Sequence, residues 1–184
     1  LDVWSNTGLD AVTAAPSGPI EGLTATGGII SDYTDGPAVY RAHIFISSGT
    51  FDVTAPGDFG DTVEYLVVSG GGGGGSRAGG GGGAGGLLVS PGDFGIPTSQ
   101  NQGATVPIPA SFPAPFTVTI GAGGVGALAP VSTSDGNDGT DGGPSAFGPV
   151  STTGGGGGVG CNQASVHGRA GGSGGGGGGN SGTT

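Results

Sequence analysis

The chain has 184 residues, of which 50 are Gly and 13 Pro, with 33% hydrophobic and only 9% charged. Such a glycine and proline load favours low complexity, but disordered chains are typically strongly charged and poor in apolar residues, so a small core within one domain, with or without an arm, is expected. Arg41, Arg77 and Arg169 face 13 acidic residues, a net charge of −10, which argues against nucleic acid, whose phosphates need a basic stripe, and against an anionic membrane surface.

Residues 1–26 have no clear period and are punctuated by Pro16, Gly18 and Pro19, which reads as an arm or connector. Within it Val3 and Trp4 either pack on a neighbouring subunit or fold back on their own domain. Residues 27–184 read as one glycine-rich β domain that includes the C-terminal glycine tail. "GGIISDYT" gives a strand and a turn follows at Asp35-Gly36-Pro37. "AVYRAHIFI" alternates Tyr40, Ala42, Ile44 and Ile46 against Arg41, His43 and Phe45, the period of a strand. "SSGT" reads as a hairpin connection into "TFDVTAP", with Phe51 and Val53 inward. "DTVEYLVV" ends apolar on both faces, which predicts a central buried strand. "LLVSPG", "GATVPIPA" and "PFTVTIGAGG" give three more strands, "SDGNDGTDGG" a polar loop, residues 145–147 a short strand, and "PVSTTGGGGGVG" a further strand running straight into glycines. Glycine and β-branched residues leave no stretch with good helix credentials. The predicted class is all-β, an antiparallel β-sandwich of jelly-roll type.

The glycine runs at 70–75, 79–83, 154–158 and 174–179 interrupt this pattern. A flexible linker is one reading. A nucleotide-binding loop is excluded, because it needs a Lys after its glycines and the chain has none. The third reading is ordered helices of the polyproline II type. These have no internal hydrogen bonds, so their N–H and C=O groups bond sideways, and only glycine lets the backbones approach closely enough. No regular G-X-Y period is apparent, which excludes collagen. Gly72, Gly81, Gly156 and Gly176 are the expected packing positions, and valine at Gly72 or Gly81 is expected to push packed backbones apart.

The candidates for chemistry are few. His43 sits mid-strand without a suggested partner for general-base work and reads as structural. Cys161 and His167 suggest a nucleophile or metal pair, but a structural zinc site wants about four ligands. Asp135, Asp138 and Asp141 are candidate calcium ligands in a glycine-rich loop, yet Gly139 breaks the calcium-loop register and the closing Glu is missing, so a solvated turn is the competing reading. Asp52 and Glu64 lie in strands with no suggested cleft, and no nucleophile elbow occurs. No enzyme activity and, calcium apart, no cofactor is expected. With Cys161 alone no intrachain disulfide forms. No apolar run is long enough to span a membrane and no signal peptide pattern is evident. A chain that opens on Leu1 and has no Met is expected to be processed or cut from something longer.

The ordered series "TATGGIISDYTDGPAVYRAHIFISSGTFDVT", "VEYLVVSGGGGGGSRAGGGGGAGG", "FTVTIGAGGVG" and "GGPSAFGPVSTTGGGGGVG" resembles the glycine-rich domain of bacteriophage structural proteins, tail-fibre-like or virion components, over residues 24–180. Tyr33, Tyr40, His43, Phe45, Phe51 and Tyr65 carry it, together with the glycine-rich stretches at 70–86, 117–124 and 154–158. The resemblance implies a β-rich virion component without catalysis. The expected function is therefore a non-enzymatic virion structural protein on the phage surface, assembling through glycine segments and β edges as a homo-oligomer such as a trimer. Related phage adhesin tips pack polyglycine helices and bind host receptors through loops, which makes a receptor-binding module the alternative. Its loops would be 93–102 and 132–143, with Asp93, Gln100, Asp135 and Asp141 as contact residues. A glycine-rich extracellular or cell-surface filament protein is the third reading.

Overall fold

Alternating apolar and polar residues rich in Val, Phe, Ile and Thr favour pleated, half-buried strands, and in a computed structural model of the protein every regular element among the described residues is a strand. The structure describes residues 22–35, 38–58, 61–91, 101–130, 135–164 and 167–179. The elements are β1 (Thr24–Thr26), β2 (Ile29–Asp35), β3 (Ala38–Ile44), β4 (Gly49–Ala55), β5 (Thr62–Val63), β6 (Leu66–Val68), β7 (Leu87–Val89), β8 (Val106–Pro107), β9 (Ala114–Thr119), β10 (Ser145–Phe147) and β11 (Val150–Thr152). A five-stranded antiparallel sheet runs β1-β4-β9-β10-β11, and β2-β3, β5-β8 and β6-β7 form two-stranded ribbons. The all-β class stands. Among the described residues no second large sheet faces the first, as a jelly-roll sandwich would require.

The core sits where the alternation predicts. Phe51 and Val53 of β4 point inward, paired with Phe116 and Ala114 of β9, and cluster with Ile108 and Val118. Tyr65, Val67, Val106 and Val150 form a second cluster. Phe147 packs on both, with ring centroids 5.8 Å from Phe51, 5.5 Å from Phe116 and 5.9 Å from Tyr65.

Three expectations are corrected. "SSGT" does not close a hairpin: β3 pairs with β2, whereas β4 pairs with β1 and β9. The chain leaves one sheet for another there, because Phe51 and Val53 are drawn into the core. The strand at "YLVV" is not central. It pairs with β7 in a two-stranded ribbon, with Val67 buried but Leu66 and Val68 about half exposed. Finally, β1 lies within the span read as an arm and pairs with β4, while residues 1–21, with Val3 and Trp4, fall outside the described residues.

Candidate functional site: the packed glycine segments

Most strands run directly into or out of glycine. Segment I (69–76) follows β6, segment II (79–86) precedes β7, segment III (121–127) follows β9, segment IV (136–143) precedes β10, and segment V (154–160) follows β11. Segments VI (167–172) and VII (173–179) complete the array. None has regular strand or helix structure, yet their backbones are joined by hydrogen bonds of 2.7–3.1 Å.

The bonding has a period of three. Segment I donates from Ser69, Gly72 and Gly75 to carbonyls of segment II, and from Gly70, Gly73 and Ser76 to carbonyls of segment IV. Its Gly71 and Gly74 carbonyls accept from segment III, and those of Gly70 and Gly73 from segment V. A strand bonds its neighbours every second residue. A polyproline II helix, with three residues per turn, aims one set of backbone groups at each neighbour. Positive φ among the described glycines is confined to Gly27, Gly28 and Gly148, outside the segments. Close approach is therefore what the segments need from glycine.

The register of the sheets continues into the glycines without a slip. The β6–β7 pairs Leu66↔Val89 to Val68↔Leu87 continue as Ser69–Gly86, Gly72–Gly83 and Gly75–Gly80. The β10–β11 pairs continue as Gly142–Gly155, Gly139–Gly158 and Gly136–Cys161. Strand and polyproline II backbones rise by about 3.3 and 3.1 Å per residue, so one pairing passes into the other with little mismatch.

Segment V is the centre. It bonds to segments I, II, IV, VI and VII, and residues 154–160 are all buried. A Cβ on any of Gly154, Gly155, Gly156, Gly157 or Gly158 would clash with backbone of segments IV, II, VI, IV and II in turn. All faces are closed, so the run is pure glycine. Segment II lies at the edge and admits side chains on one column: Ala78, Gly81 and Ala84. Of the expected packing glycines, Gly72 and Gly156 are closed by neighbouring backbone, and Gly176 is tight at 3.0 Å from Gly81 N. Gly81 is corrected: no atom lies within 4 Å of its would-be Cβ, so valine there meets no packed backbone.

The stretch "DGNDGTDGG" is also corrected. It is segment IV rather than a loop, and a local three-residue period was present in the sequence: Gly136, Gly139 and Gly142 form the inward column. Asp138 and Asp141 lie on another, facing the one gap in the ring around segment V, between segments IV and VI. There Asp141 Oδ1 accepts from Gly157 N–H and Asp138 Oδ1 from Gly160 N–H, both at 2.8 Å. The two carboxylates stand where carbonyls of a further helix would be. Arg169 of segment VI pairs with Asp141 Oδ2 at 2.8 Å and closes the gap. This ion pair is half exposed and adds little by itself; its position is what matters.

Gly157 N–H, and after it Arg169, holds the Asp141 carboxyl below the ordinary carboxylate value. A depressed folded-state pKa contributes stability that is present above the unfolded value and lost as pH falls through the folded one. Asp141→Asn is thus expected to lower the melting temperature at neutral pH, with the gap to the parent narrowing as pH falls below about 4. Parallel melting curves across that range would contradict it.

His43 Nδ1–H donates to Gly27 O at 2.7 Å and its ring packs edge-on against Phe51, a structural placement. Cys161 is buried and His167 exposed. Among the described residues no group of three or more His, Cys, Asp or Glu is placed to hold a metal ion. Asp93 and Gln100 lie outside the described residues. Sequence reasoning missed the serines. Ser69 Oγ accepts from Ser145 N–H and donates to Thr152 O, and Ser145 Oγ accepts from Gly121 N–H. These hydroxyls tie segments I, III, IV and V together where sheet becomes helix.

Residues 46–184 match the family described as a glycine-rich domain, and the chain belongs to it. No curated protein and no solved structure matches the chain.

Proposed function

Starting from membership in the glycine-rich domain family, we propose that the protein is a non-enzymatic structural component of a phage particle, of tail-fibre or similar surface-exposed type, that assembles as a homo-oligomer such as a trimer. The observation that carries this reading is the enclosure of segment V by the backbones of five other segments, with the carboxylates of Asp138 and Asp141 on the remaining side. Ordering glycine costs more conformational entropy than ordering any other residue. A chain that accepts this cost along several segments gains a stiff body whose shape is set by backbone geometry. Its distinctive polar groups serve the same end: Asp138, Asp141 and Arg169 fill the gap in the bundle, and the buried serines fix its mouth. The phage assignment rests on the resemblance in the order of motifs.

The test is peptide mass spectrometry of purified phage particles, with gold-labelled antibody to locate the chain. Detection at stoichiometric level on tail or fibre is expected. Absence from the particle, or particles unchanged when the chain is deleted, would count against the reading.

A further inference from the structure

The hydrogen bonds of segment V obey a rule that leaves one direction to be filled. A helix with three residues per turn and no internal bonds presents three columns of N–H and three of C=O to its neighbours. On segment V the carbonyls of Gly156 and Val159 accept from segment II, those of Gly155 and Gly158 from segment IV, and those of Gly154 and Gly157 from segment VI. The N–H groups of Gly155 and Gly158 donate to segment I, and those of Gly156 and Val159 to segment VII. Segments IV, I, II, VII and VI are bonded to one another in that order. Accepting and donating directions therefore alternate around segment V. The sixth direction, between VI and IV, is a donating one, and Gly157 and Gly160 supply its N–H groups.

A sixth helix would meet that column with its carbonyls, but among the described residues no segment lies there. Asp141 Oδ1 accepts from Gly157 N–H and Asp138 Oδ1 from Gly160 N–H, each at 2.8 Å. The two aspartates stand three residues apart, one turn of such a helix, so their oxygens repeat with the period of the donors. Arg169, on the opposite bank of the groove, pairs with Asp141 Oδ2. An open column of N–H groups is the counterpart of an exposed strand edge, which templates pairing with another chain and which proteins blunt with charged side chains. We infer that Asp138 and Asp141 are a built-in stop. They complete segment V in place of a sixth neighbouring helix, and so keep a glycine-rich segment of another chain out of the groove between segments IV and VI. The stop depends on the bonding of segment V alone and not on the phage reading.

Sedimentation velocity and an NMR titration on the full chain test it, the titrant being a synthetic peptide that copies residues 173–179, one serine followed by glycines. Asp138→Ala/Asp141→Ala bares the two N–H groups, whereas Asp138→Asn/Asp141→Asn keeps an acceptor oxygen at each and removes only the charge. The alanine variant is expected to form larger species than the parent and to shift its Gly157 and Gly160 amide signals as peptide is added. Saturating peptide is expected to slow hydrogen exchange at those two amides by about 10-fold, the effect of regaining a hydrogen bond. The parent and the asparagine variant are expected to show none of this. Asp138→Ala alone keeps the Asp141–Arg169 pair and gives the same readout at Gly160 should the double variant fail to fold. An alanine variant that folds yet neither associates nor takes up the peptide would overturn the inference. So would a parent that takes up the peptide in this groove, or an asparagine variant that behaves like the alanine one.

Discussion

Gly156→Val is expected to unfold the protein, whereas Gly81→Ala, in another glycine segment, is expected to raise its melting temperature. Gly156 donates its N–H to Ser173 O at 3.0 Å and accepts at its carbonyl from Gly83 N–H at 2.8 Å, so it is held from both sides. A Cβ there would run into the Arg169 carbonyl and its neighbours. Overpacking a side-chain core costs about 1–3 kcal/mol because side chains shift rotamers to make room. Here the obstacle is backbone that is itself bonded to segment V, so relief requires breaking the array and the cost lies above that range. Against a typical total stability of about 5–15 kcal/mol, that is a large fraction. Gly81 has no atom within 4 Å of the added carbon and shares its column with Ala78 and Ala84. Alanine at such a site stabilises by about 0.4–1 kcal/mol by restricting the unfolded chain. Urea titrations of the two variants check the contrast, and equal effects would mean that the segments do not pack as described.

Ser69→Ala is expected to cost about 1–3 kcal/mol, the penalty for leaving buried polar groups without partners. Ser69 is 7% and Ser145 1% exposed. The Ser69 hydroxyl accepts from Ser145 N–H at 2.8 Å and donates to Thr152 O at 2.6 Å. Alanine removes one small oxygen and strands a donor on β10 and an acceptor on β11 at the mouth of the bundle. For a domain of this size about 2–4 °C is lost per kcal/mol, so a drop of several degrees is expected in calorimetry. Ser173→Ala, at an exposed site whose backbone makes the segment's bonds, should leave the midpoint nearly unchanged. A silent Ser69→Ala would show that the junction tolerates unpaired groups.

Much of this was legible in the sequence. Alternation placed Phe51 and Val53 in the core, because a period of two is a property of the strand itself. The glycine runs were readable as packed polyproline II helices, since their composition admits few other ordered states. What escaped notice has a period of three, for which apolar patterning gives no signal. In "DGNDGTDGG" the columns are marked by glycine and carboxylate, so a helix resembled a solvated turn. The difference between Gly72 and Gly81 is likewise invisible locally. It depends on whether another segment lies alongside, and hence on chain topology. The one nearby clue is the alanines at 78 and 84, three residues either side of Gly81. The mistaken hairpin at "SSGT" has a similar origin: turn chemistry suggests a reversal, but the choice of pairing partner is made by the core.

The central claim is that the glycine segments form an ordered, hydrogen-bonded core. Amide hydrogen exchange by NMR, resolved at Gly155, Gly156 and Gly158, tests it most directly, because their N–H groups donate to Gly70, Ser173 and Gly73 in the centre of the bundle. The account predicts that these amides exchange as slowly as those of Phe51 and Val53 in β4, through global unfolding. Exchange at the rate of free glycine-rich loops, with β4 still protected, would contradict it.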